Sequence, residues 1–380
     1  MRGPRDETRG LPLTSHRSPL TVVIAGGGTG GHLMPAIAIA SALRRERPEV
    51  RVVLVGAQRG IEARLLPERD FPFSLLPAEP IYRRQWWKNL RWPVLLPGLL
   101  REVDALLQRE QPAFVIGTGG YAAAPVVWRA ARRGIPTAML ELNAHPGLAV
   151  RWLAGSVREL WLGLPEIRAR LRPGRQTSVV ETGAPITPPD PSIRSDALRR
   201  FGLDPSKPVL LVTGGSQGAL AINEVVAEWL QGGGGEWLQV IWSVGKSSFG
   251  RFQGLHRPPA VQLFEFLDPI APAYAVADLA VTRAGMMTVA ELCAWGIPAI
   301  LVPLPTAAAD HQTPNARTMA AAGAALHLPQ AEMTAPRLGE LIESLRSNAA
   351  RRDSLRAAAL ARARPDAIAR ILARIGIYSG

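Results

Sequence analysis

The chain has 380 residues, 47% of them hydrophobic and 20% charged, which is the composition of a globular protein of about two or three domains. This excludes a disordered, collagen-like or disulfide-stapled chain, and the single cysteine, Cys293, cannot form an internal disulfide. The 44 basic and 31 acidic side chains give a net charge of +13, which predicts an anionic partner such as a lipid surface or nucleic acid.

The charge is unevenly distributed along the chain. Residues 1–186 hold 26 basic and 15 acidic side chains, a net +11, whereas residues 187–343 hold 10 and 14, a net −4. Residues 344–380 hold 8 and 2, a net +6. The basic character therefore belongs to the first half and to the end of the chain.

Two segments bear on targeting. Residues 1–19 mix charged residues with proline and have no apolar stretch, so we interpret them as a flexible extension and not as a signal peptide. The uncharged stretch 292–309 is long enough to span a bilayer, but three prolines interrupt it. It predicts a helix end, a turn and a buried strand, so any membrane contact is expected to be peripheral.

The first half of the sequence alternates strands with helices. Thr21–Ala25 predicts a strand that leads into a glycine-rich loop and then a helix over 36–47. Further strands are predicted over 51–56, 113–117 and 137–140. This alternation indicates a parallel sheet with helical crossovers.

The same order restarts in the second half. Strands are predicted over 208–213, 279–282 and 299–302, and the first of them leads into the loop Gly214–Ala219. In each half a Gly-Ile-Pro turn precedes a strand, so the sequence predicts two Rossmann-like domains, joined by a proline-rich linker near 185–191. From Ser344 onward it predicts two helices rich in arginine and alanine, broken at Pro365.

The first glycine loop matches the spacing GxGxxG at Gly26, Gly28 and Gly31. A dinucleotide site also needs an acidic residue near the end of the second strand, and no carboxylate lies there; no P-loop lysine follows either. Three glycine loops at the ends of three strands nevertheless favour a phosphate or sugar-phosphate site, with ordinary tight turns as the alternative. His32, which follows the first loop, is either catalytic or structural.

Two further clusters lie in the second half. In Arg283–Glu291 a small turn opens a helix whose N-terminus suits a diphosphate, and Glu291 could hold a ribose or be a surface acid that complements the helix dipole. In Ala309–Ala316 a His-Gln-Asn set follows a predicted buried strand, which indicates ligand contact.

Residues 81–101 combine five basic residues, no acidic residue and three tryptophans. This combination predicts contact with an anionic lipid surface, and the apolar run 94–100 favours lipid over single-stranded nucleic acid. The alternative is an amphipathic helix pair buried against the sheet. The predicted membrane contacts are Trp86, Trp87, Trp92, Leu95 and Leu96.

Six motifs occur in order along nearly the whole chain from Val22: GGGTGGHLMPAIAIA, GTGGYAAAP, ELNAHPG, GGSQGA, RAGMMTVAEL and AADHQTPNA. In this order and spacing they resemble the MurG family of glycosyltransferase family 28, bacterial enzymes that convert lipid I to lipid II in peptidoglycan synthesis. The resemblance implies inverting transfer of N-acetylglucosamine (GlcNAc) from UDP-GlcNAc to the C4 hydroxyl of the N-acetylmuramic acid of undecaprenyl-linked lipid I.

The resemblance also implies a GT-B fold, in which two Rossmann-like α/β domains face a cleft. The expected domains are an extension over 1–19, an acceptor and membrane-facing domain over 20–186, and a UDP-sugar domain over 187–361. A helix over 362–380 would return to the first domain. No metal or other cofactor and no nucleic-acid partner is expected, and the protein would lie at the cytoplasmic face of the plasma membrane.

By motif, the resemblance makes His32 the candidate general base. It places Asn143 on the GlcNAc moiety, Glu291 on the ribose and the backbone of Leu267 on uracil. The other residues expected to contact substrate are Thr29, Gly30 and Gly31 near the donor sugar or acceptor diphosphate, Ser216 at the donor phosphates, Met286, Met287 and Thr288 with Val289 and Ala290 at the diphosphate, and Gln312 with Thr313 at sugar hydroxyls.

One departure concerns the family's linker motif GNPVR, which is here Gly183–Thr187. Its arginine, expected near the donor diphosphate, is replaced by Thr187. Either another cation such as Arg283 substitutes for it, or donor binding is weaker. Smaller departures are Leu142 within ELNAHPG and the methionines of RAGMMT.

Overall fold

The computed structural model describes residues 20–82, 85–215 and 218–376, which form two parallel β-sheets flanked by helices. The seven strands of the first sheet have the order β3-β2-β1-β4-β5-β6-β7. They are β1 (Thr21–Gly26), β2 (Arg51–Ala57), β3 (Phe73–Leu76), β4 (Phe114–Gly119), β5 (Thr137–Glu141), β6 (Glu159–Leu162) and β7 (Ser178–Glu181).

The second sheet has six strands in the order β10-β9-β8-β11-β12-β13. Its first five strands follow the same relative order as those of the first sheet, 3-2-1-4-5, so the two halves repeat one topology. The strands are β8 (Val209–Thr213), β9 (Gln239–Ser243), β10 (Val261–Phe264), β11 (Leu279–Thr282), β12 (Ala299–Leu301) and β13 (Leu326–His327).

Helices connect the strands as crossovers and close the chain. In the first half these are α1 (Gly30–Glu46), α2 (Glu62–Leu65), α3 (Trp92–Glu110), α4 (Ala123–Arg132) and α5 (Leu148–Leu153). In the second half they are α6 (Arg194–Phe201), α7 (Leu220–Gln231), α8 (Phe249–Phe252), α9 (Ala271–Val276), α10 (Met286–Trp295), α11 (Gln312–Ala321), α12 (Ala335–Ser347), α13 (Ala349–Arg362) and α14 (Ala367–Gly376).

The central strands are apolar on both faces because helices cover both sides of each sheet. Every residue of β1, β4, β5 and β8 is buried, which is typical of parallel sheets and explains why their sequences are continuous apolar runs. One apolar core surrounds the first sheet and continues onto one face of the second, and another core covers the opposite face of the second sheet. The prediction of an α/β protein with two Rossmann-like sheets is confirmed.

This topology determines where a ligand can bind. In each sheet the strand order reverses next to the first strand, between β1 and β4 and between β8 and β11. Ligands of open parallel sheets bind at such a switch point, outside the carboxyl ends of the strands. The glycine loops after β1 and β4 and the turn after β11 lie at these points.

The last helix returns to the first sheet's domain. Helix α14 packs against α1, and Arg374 Nε donates to Glu159 at 2.9 Å, a carboxylate with no solvent exposure. Arg362 likewise donates to Glu166 at 2.7 Å. Two basic side chains near the end of the chain thus form ion pairs with acidic side chains of the first domain. The exact domain bounds stay a prediction.

The uncharged stretch 292–309 has the predicted form. Helix α10 ends at Trp295, Gly296 adopts a left-handed conformation with φ 64°, and β12 follows as a buried strand. Among the described residues, no helix combines the length and apolar character needed to cross a bilayer.

Candidate functional site

His32 lies in the first turn of α1, at the switch point of the first sheet. Thr29 is the N-cap of α1, and its hydroxyl oxygen is 3.1 Å from Nδ1 of His32. From β4, Thr118 donates its hydroxyl to the backbone carbonyl of His32 at 2.7 Å. Gly119 lies against the imidazole, because an added Cβ would be 2.5 Å from Cδ2. The helix, the loop and β4 together fix the ring.

Two polar groups contact the imidazole. Nδ1 faces the hydroxyl of Thr29, and the carbonyl of Gly27 accepts a hydrogen bond from the ring. Burial, with a smaller contribution from the nearby His311, lowers the pKa of His32 to about 4. The imidazole is therefore neutral at pH 7 and able to accept a proton.

The glycine loop leaves room for a ligand on one side only. An added Cβ at Gly30 would meet nothing within 4 Å, and at Gly31 it would meet only the Thr29 hydroxyl at 3.7 Å. The backbone N–H of Gly28, by contrast, donates to Glu62 at 2.6 Å. This donor is not available to an anionic ligand, because a side chain of the protein already occupies it.

The helix N-terminus at the second switch point is open. Helix α10 begins at Met286 after the N-cap Gly285, and neither a capping side chain nor an acidic residue of the first turn is present among the described residues. The first N–H groups of a helix have no partner within it and carry partial positive charge. The stretch predicted for the diphosphate is therefore available to an anion, although the side chains of Met286 and Val289 point into the core.

Glu291 lies on α10 and faces α9. Its Oε2 accepts a hydrogen bond of 2.8 Å from the hydroxyl of Tyr274, and burial raises the pKa of this carboxyl. Leu267, predicted at the uracil, is buried in the segment between β10 and α9. The structure thus brings the predicted uracil and ribose residues to neighbouring elements.

The polar cluster after β12 supports the turn before α10. Gln312 Oε1 accepts from the backbone N–H groups of Ala284, at 3.3 Å, and Leu304, at 3.0 Å, which leaves its amide nitrogen to donate. Thr313 donates to Asp310 at 2.7 Å. Arg283 donates to the carbonyls of Val302 and Pro303, at 3.2 and 3.3 Å, and burial lowers its pKa to about 10.

The arrangement of Arg283 bears on the missing linker arginine. One guanidinium nitrogen of Arg283 donates to the carbonyls of Val302 and Pro303 after β12, so this contact stabilises the local backbone. Thr187 itself is exposed. Substitution of Arg283 for the family's linker arginine stays a prediction.

Polar side chains link the two domains across the cleft. From α11, the buried Asn315 accepts from the N–H of Ala144 at 2.9 Å and donates to Asn143 Oδ1 and to the carbonyl of Ala284, both at 3.1 Å. Asn143 Nδ2 in turn donates to Glu141 at 3.1 Å, a buried carboxyl whose pKa is raised by burial. Asn143 thus retains one amide hydrogen for a ligand.

Glu141, Glu62 and Tyr274 were not assigned a role from the sequence. Glu141 lies within a motif, which alone could have indicated it, whereas Glu62 and Tyr274 lie outside the motifs. Asn315 belongs to the His-Gln-Asn set predicted to contact a ligand, and in the structure it bonds to Asn143, Ala144 and Ala284. Ser216, predicted at the donor phosphates, lies outside the described residues. No group of three or more His, Cys, Asp or Glu suited to a metal ion occurs in the described part of the chain.

The basic aromatic segment is largely exposed where the structure describes it. Trp86 and Trp87 are exposed by 64% and 55%, and Val94, on the first turns of α3, by 80%. Leu96 is exposed, whereas Trp92 and Leu95 are half-buried and Trp92 packs against the core. The alternative of a helix pair buried against the sheet is therefore excluded for the exposed part of the segment.

Comparison with known proteins identifies the family. Residues 22–160 match the glycosyltransferase family 28 N-terminal domain, and residues 209–371 match the family 28 C-terminal domain. Two relatives carry the name UDP-N-acetylglucosamine–N-acetylmuramyl-(pentapeptide) pyrophosphoryl-undecaprenol N-acetylglucosamine transferase. The one from Streptomyces collinus is 41% identical over 82% of this chain and 86% of its own, and the one from Salinibacter ruber is 39% identical over 93% and 95%.

Solved structures agree with this result. The crystal structure of Acinetobacter baumannii MurG covers 94% of this chain and 99% of its own, with a TM-score of 0.74 and 28% identity. A putative UDP-N-acetylglucosamine 2-epimerase from Listeria monocytogenes, at 14% identity and a TM-score of 0.64, shares the fold alone. The predicted GT-B architecture is confirmed, and the chain belongs to the MurG family of glycosyltransferase family 28.

Proposed function

We propose that this protein transfers GlcNAc from UDP-GlcNAc to the C4 hydroxyl of the N-acetylmuramic acid of lipid I, giving lipid II. The carrying observation is that α1, which holds His32 in its first turn at the first switch point, packs against α10 of the second domain. A proton acceptor on one domain thus meets the proposed donor site of the other. The relatives named for this reaction support the same substrates.

In the proposed reaction His32 acts as general base. Its imidazole accepts the proton of the C4 hydroxyl while the hydroxyl oxygen attacks the anomeric carbon of GlcNAc. The bond from that carbon to the diphosphate breaks, and UDP leaves with the electron pair. A single displacement of this kind inverts the configuration at the anomeric carbon. The open space beside Gly30 and Gly31 is the position that we assign to the reacting sugar.

The second domain holds the donor in this proposal. The first N–H groups of α10, at Met286–Thr288, stabilise the negative charge that develops on the departing diphosphate. Glu291 accepts hydrogen bonds from the ribose through the oxygen that Tyr274 does not contact, and the backbone at Leu267 contacts uracil. Gln312 donates to sugar hydroxyls through its amide nitrogen.

Because the helix N-terminus supplies the positive potential at the diphosphate, we propose that transfer needs no metal ion. The test is direct. Activity should be the same with EDTA and with added Mg²⁺ or Mn²⁺. A rate that EDTA abolishes and one of these ions restores would contradict the proposal.

We further propose that the first domain contacts an anionic membrane through the exposed Trp86 and Trp87 and through the exposed apolar residues Leu90, Val94 and Leu96. Trp86 and Trp87 suit the headgroup boundary, and Lys88 and Arg91 lie in the same segment for lipid phosphates. The acceptor lies at the same surface, which is the cytoplasmic face of the plasma membrane in this proposal.

The experiment that tests the function compares acceptors. Purified protein is incubated with radiolabelled UDP-GlcNAc and either a lipid I analogue, diacylglycerol or no acceptor. We expect label in the lipid fraction and UDP release with the lipid I analogue alone. Transfer to diacylglycerol would indicate a different glycolipid transferase. No transfer to either acceptor, while an established relative consumes the donor, would contradict the proposed function.

A further inference from the structure

A buried carboxylate lies directly beneath the first glycine loop. Glu62, the first residue of α2, has no solvent exposure and forms no ion pair among the described residues. Its Oε1 accepts from the backbone N–H of Gly28 at 2.6 Å and from that of Ala57 at 3.2 Å. Its Oε2 is buried and finds no hydrogen-bond partner in the part of the chain that the structure describes. Such a group is costly to bury, which indicates a specific role.

Three glycines make room for this side chain. An added Cβ at Gly27, Gly56 or Gly60 would lie 1.6, 2.6 or 2.0 Å from atoms of Glu62, closer than real atoms approach. These glycines come from the loop after β1, from β2 and from the turn before α2. The enclosure of Glu62 is therefore built by three separate backbone segments and is not an accident of one loop.

The contacts of Glu62 lead to the imidazole of His32. The carboxylate fixes the peptide N–H of Gly28, whose other face lies against the ring of Tyr121, where an added Cβ would be 2.5 Å from Cε1. The next residue is Thr29, whose hydroxyl lies 3.1 Å from Nδ1 of His32. Gly27, on the other side, supplies the carbonyl that accepts from the same imidazole.

We propose that Glu62 is a positioning residue that holds the glycine loop so that Thr29 and Gly27 fix the orientation and the tautomer of the His32 imidazole. The inference rests on the proposed function for its catalytic consequence. Because Glu62 already accepts from the N–H of Gly28, this donor is not available to an anionic ligand.

The test compares Glu62→Ala with Glu159→Gln, a change to another fully buried glutamate of the same domain that pairs with Arg374 instead. Selective ¹⁵N labelling of the six histidines reports the tautomer of His32 by its ring nitrogen shifts, with His32→Gln used for assignment. We expect Glu62→Ala to change the tautomer populations of His32 and to lower kcat by about 10- to 100-fold. The KM for UDP-GlcNAc should stay within about twofold, a change of about 0.4 kcal/mol. Glu159→Gln should lower thermal stability and leave the tautomer unchanged.

Glu62→Gln keeps an acceptor oxygen and should restore most of the tautomer preference and of kcat. If Glu62→Ala does not fold, Glu62→Asp takes its place, because the shorter side chain cannot reach Gly28. An unchanged His32 tautomer in the folded Ala or Asp variant would overturn the proposal, as would a tautomer change in Glu159→Gln. The tautomer readout requires no transfer activity, so failure of this inference and failure of the proposed function are distinguishable.

Discussion

The two domains repeat one topology, but different groups form the site at each switch point. In the first domain the site consists of side chains. Glu62 holds the loop before α1 by a hydrogen bond, and His32 follows this loop. In the second domain the turn before α10 leaves the helix N-terminus uncapped. The proton acceptor thus follows the first strand of its sheet, whereas the anion site follows the strand that corresponds to the fourth, since β8 corresponds to β1 and β11 to β4. The two switch points therefore differ in which of their two strands leads into the proposed chemistry.

The largest expected effect on this comparison of the two domains comes from removing the proposed base, His32. His32→Ala should lower kcat by about 10²- to 10⁴-fold, the usual contribution of general-base catalysis, because no other group at the first switch point is assigned to accept the proton. UDP binding, measured by calorimetry, should be unchanged because its residues lie on the second domain.

A matched control is His256→Ala, since His256 lies in the second domain and its Nδ1 accepts from the backbone N–H of Leu263 at 3.1 Å. It should leave kcat unchanged. Equal losses in the two variants, or loss of UDP binding in His32→Ala, would contradict the assignment of chemistry to the first domain.

The next largest effect is expected in the opposite half. Glu291→Ala should raise the KM for UDP-GlcNAc by about 10- to 100-fold, because hydrogen bonds from the ribose to a charged acceptor are worth about 1.5–3 kcal/mol. The value of kcat should change far less. Tyr274→Phe, which removes only the hydroxyl that holds the carboxylate, serves as the milder variant and should change KM in the same direction but less. Loss of kcat with unchanged KM would refute the role of Glu291 in donor binding.

A third prediction separates membrane contact from donor binding. Replacing Trp86 and Trp87 with serine should weaken binding to vesicles of anionic lipid on the order of tenfold, because two exposed aromatic side chains lose their apolar contact. UDP binding should persist. Leu220→Ser, at a residue of the second domain exposed by 47%, should leave vesicle binding unchanged in a flotation assay. Equal vesicle binding by the wild type and the double variant would show that this segment is not the membrane contact.

The smallest expected effect is a shift in pH dependence. Since the pKa of His32 is lowered to about 4, its activity as a base is present above that pH and lost as the pH falls through it. The acid limb of kcat/KM should therefore lie near pH 4 and not near 6.5. His311→Gln removes the side chain whose electrostatic effect lowers the pKa of His32, so the limb should move to slightly higher pH. A limb near 6.5 in the wild type would contradict the burial of the imidazole.

The central strands were predictable because they are apolar on both faces. The predicted strands over 21–25, 137–140 and 279–282 agree with β1, β5 and β11 to within one residue. The edge strands β3 and β13 were not predicted, because they have only four and two residues and carry half-exposed positions, so their sequences lack a continuous apolar run. The strands β6, β7, β9 and β10 were not predicted either. Of these, β6 and β9 are fully buried, but Glu159 and Gln239 place a polar residue at the start of each run.

Only the parts of the site that lie within a sequence motif could be predicted. The positions of His32 and of the α10 N-terminus followed from the glycine loops and their strands. The side chains that hold these loops in place could not be predicted, because they are distant in sequence from the residues that they contact. Glu62 is 34 residues from Gly28, and Asn315 is 171 residues from Ala144. The sequence also showed no carboxylate at the end of β2, and the structure shows that Glu62, shortly after it, points beneath the loop and not toward a ribose.

The central claim is a single displacement in which His32 of one domain activates the acceptor against a donor held by the other. The most direct measurement is the anomeric configuration of the GlcNAc linkage formed in the first turnover from the α-linked donor UDP-GlcNAc, read from the H1–H2 coupling constant of the isolated lipid product. The account predicts a β linkage, with the large coupling of two axial protons. An α linkage would require a second displacement and a covalent intermediate, and it would contradict the account.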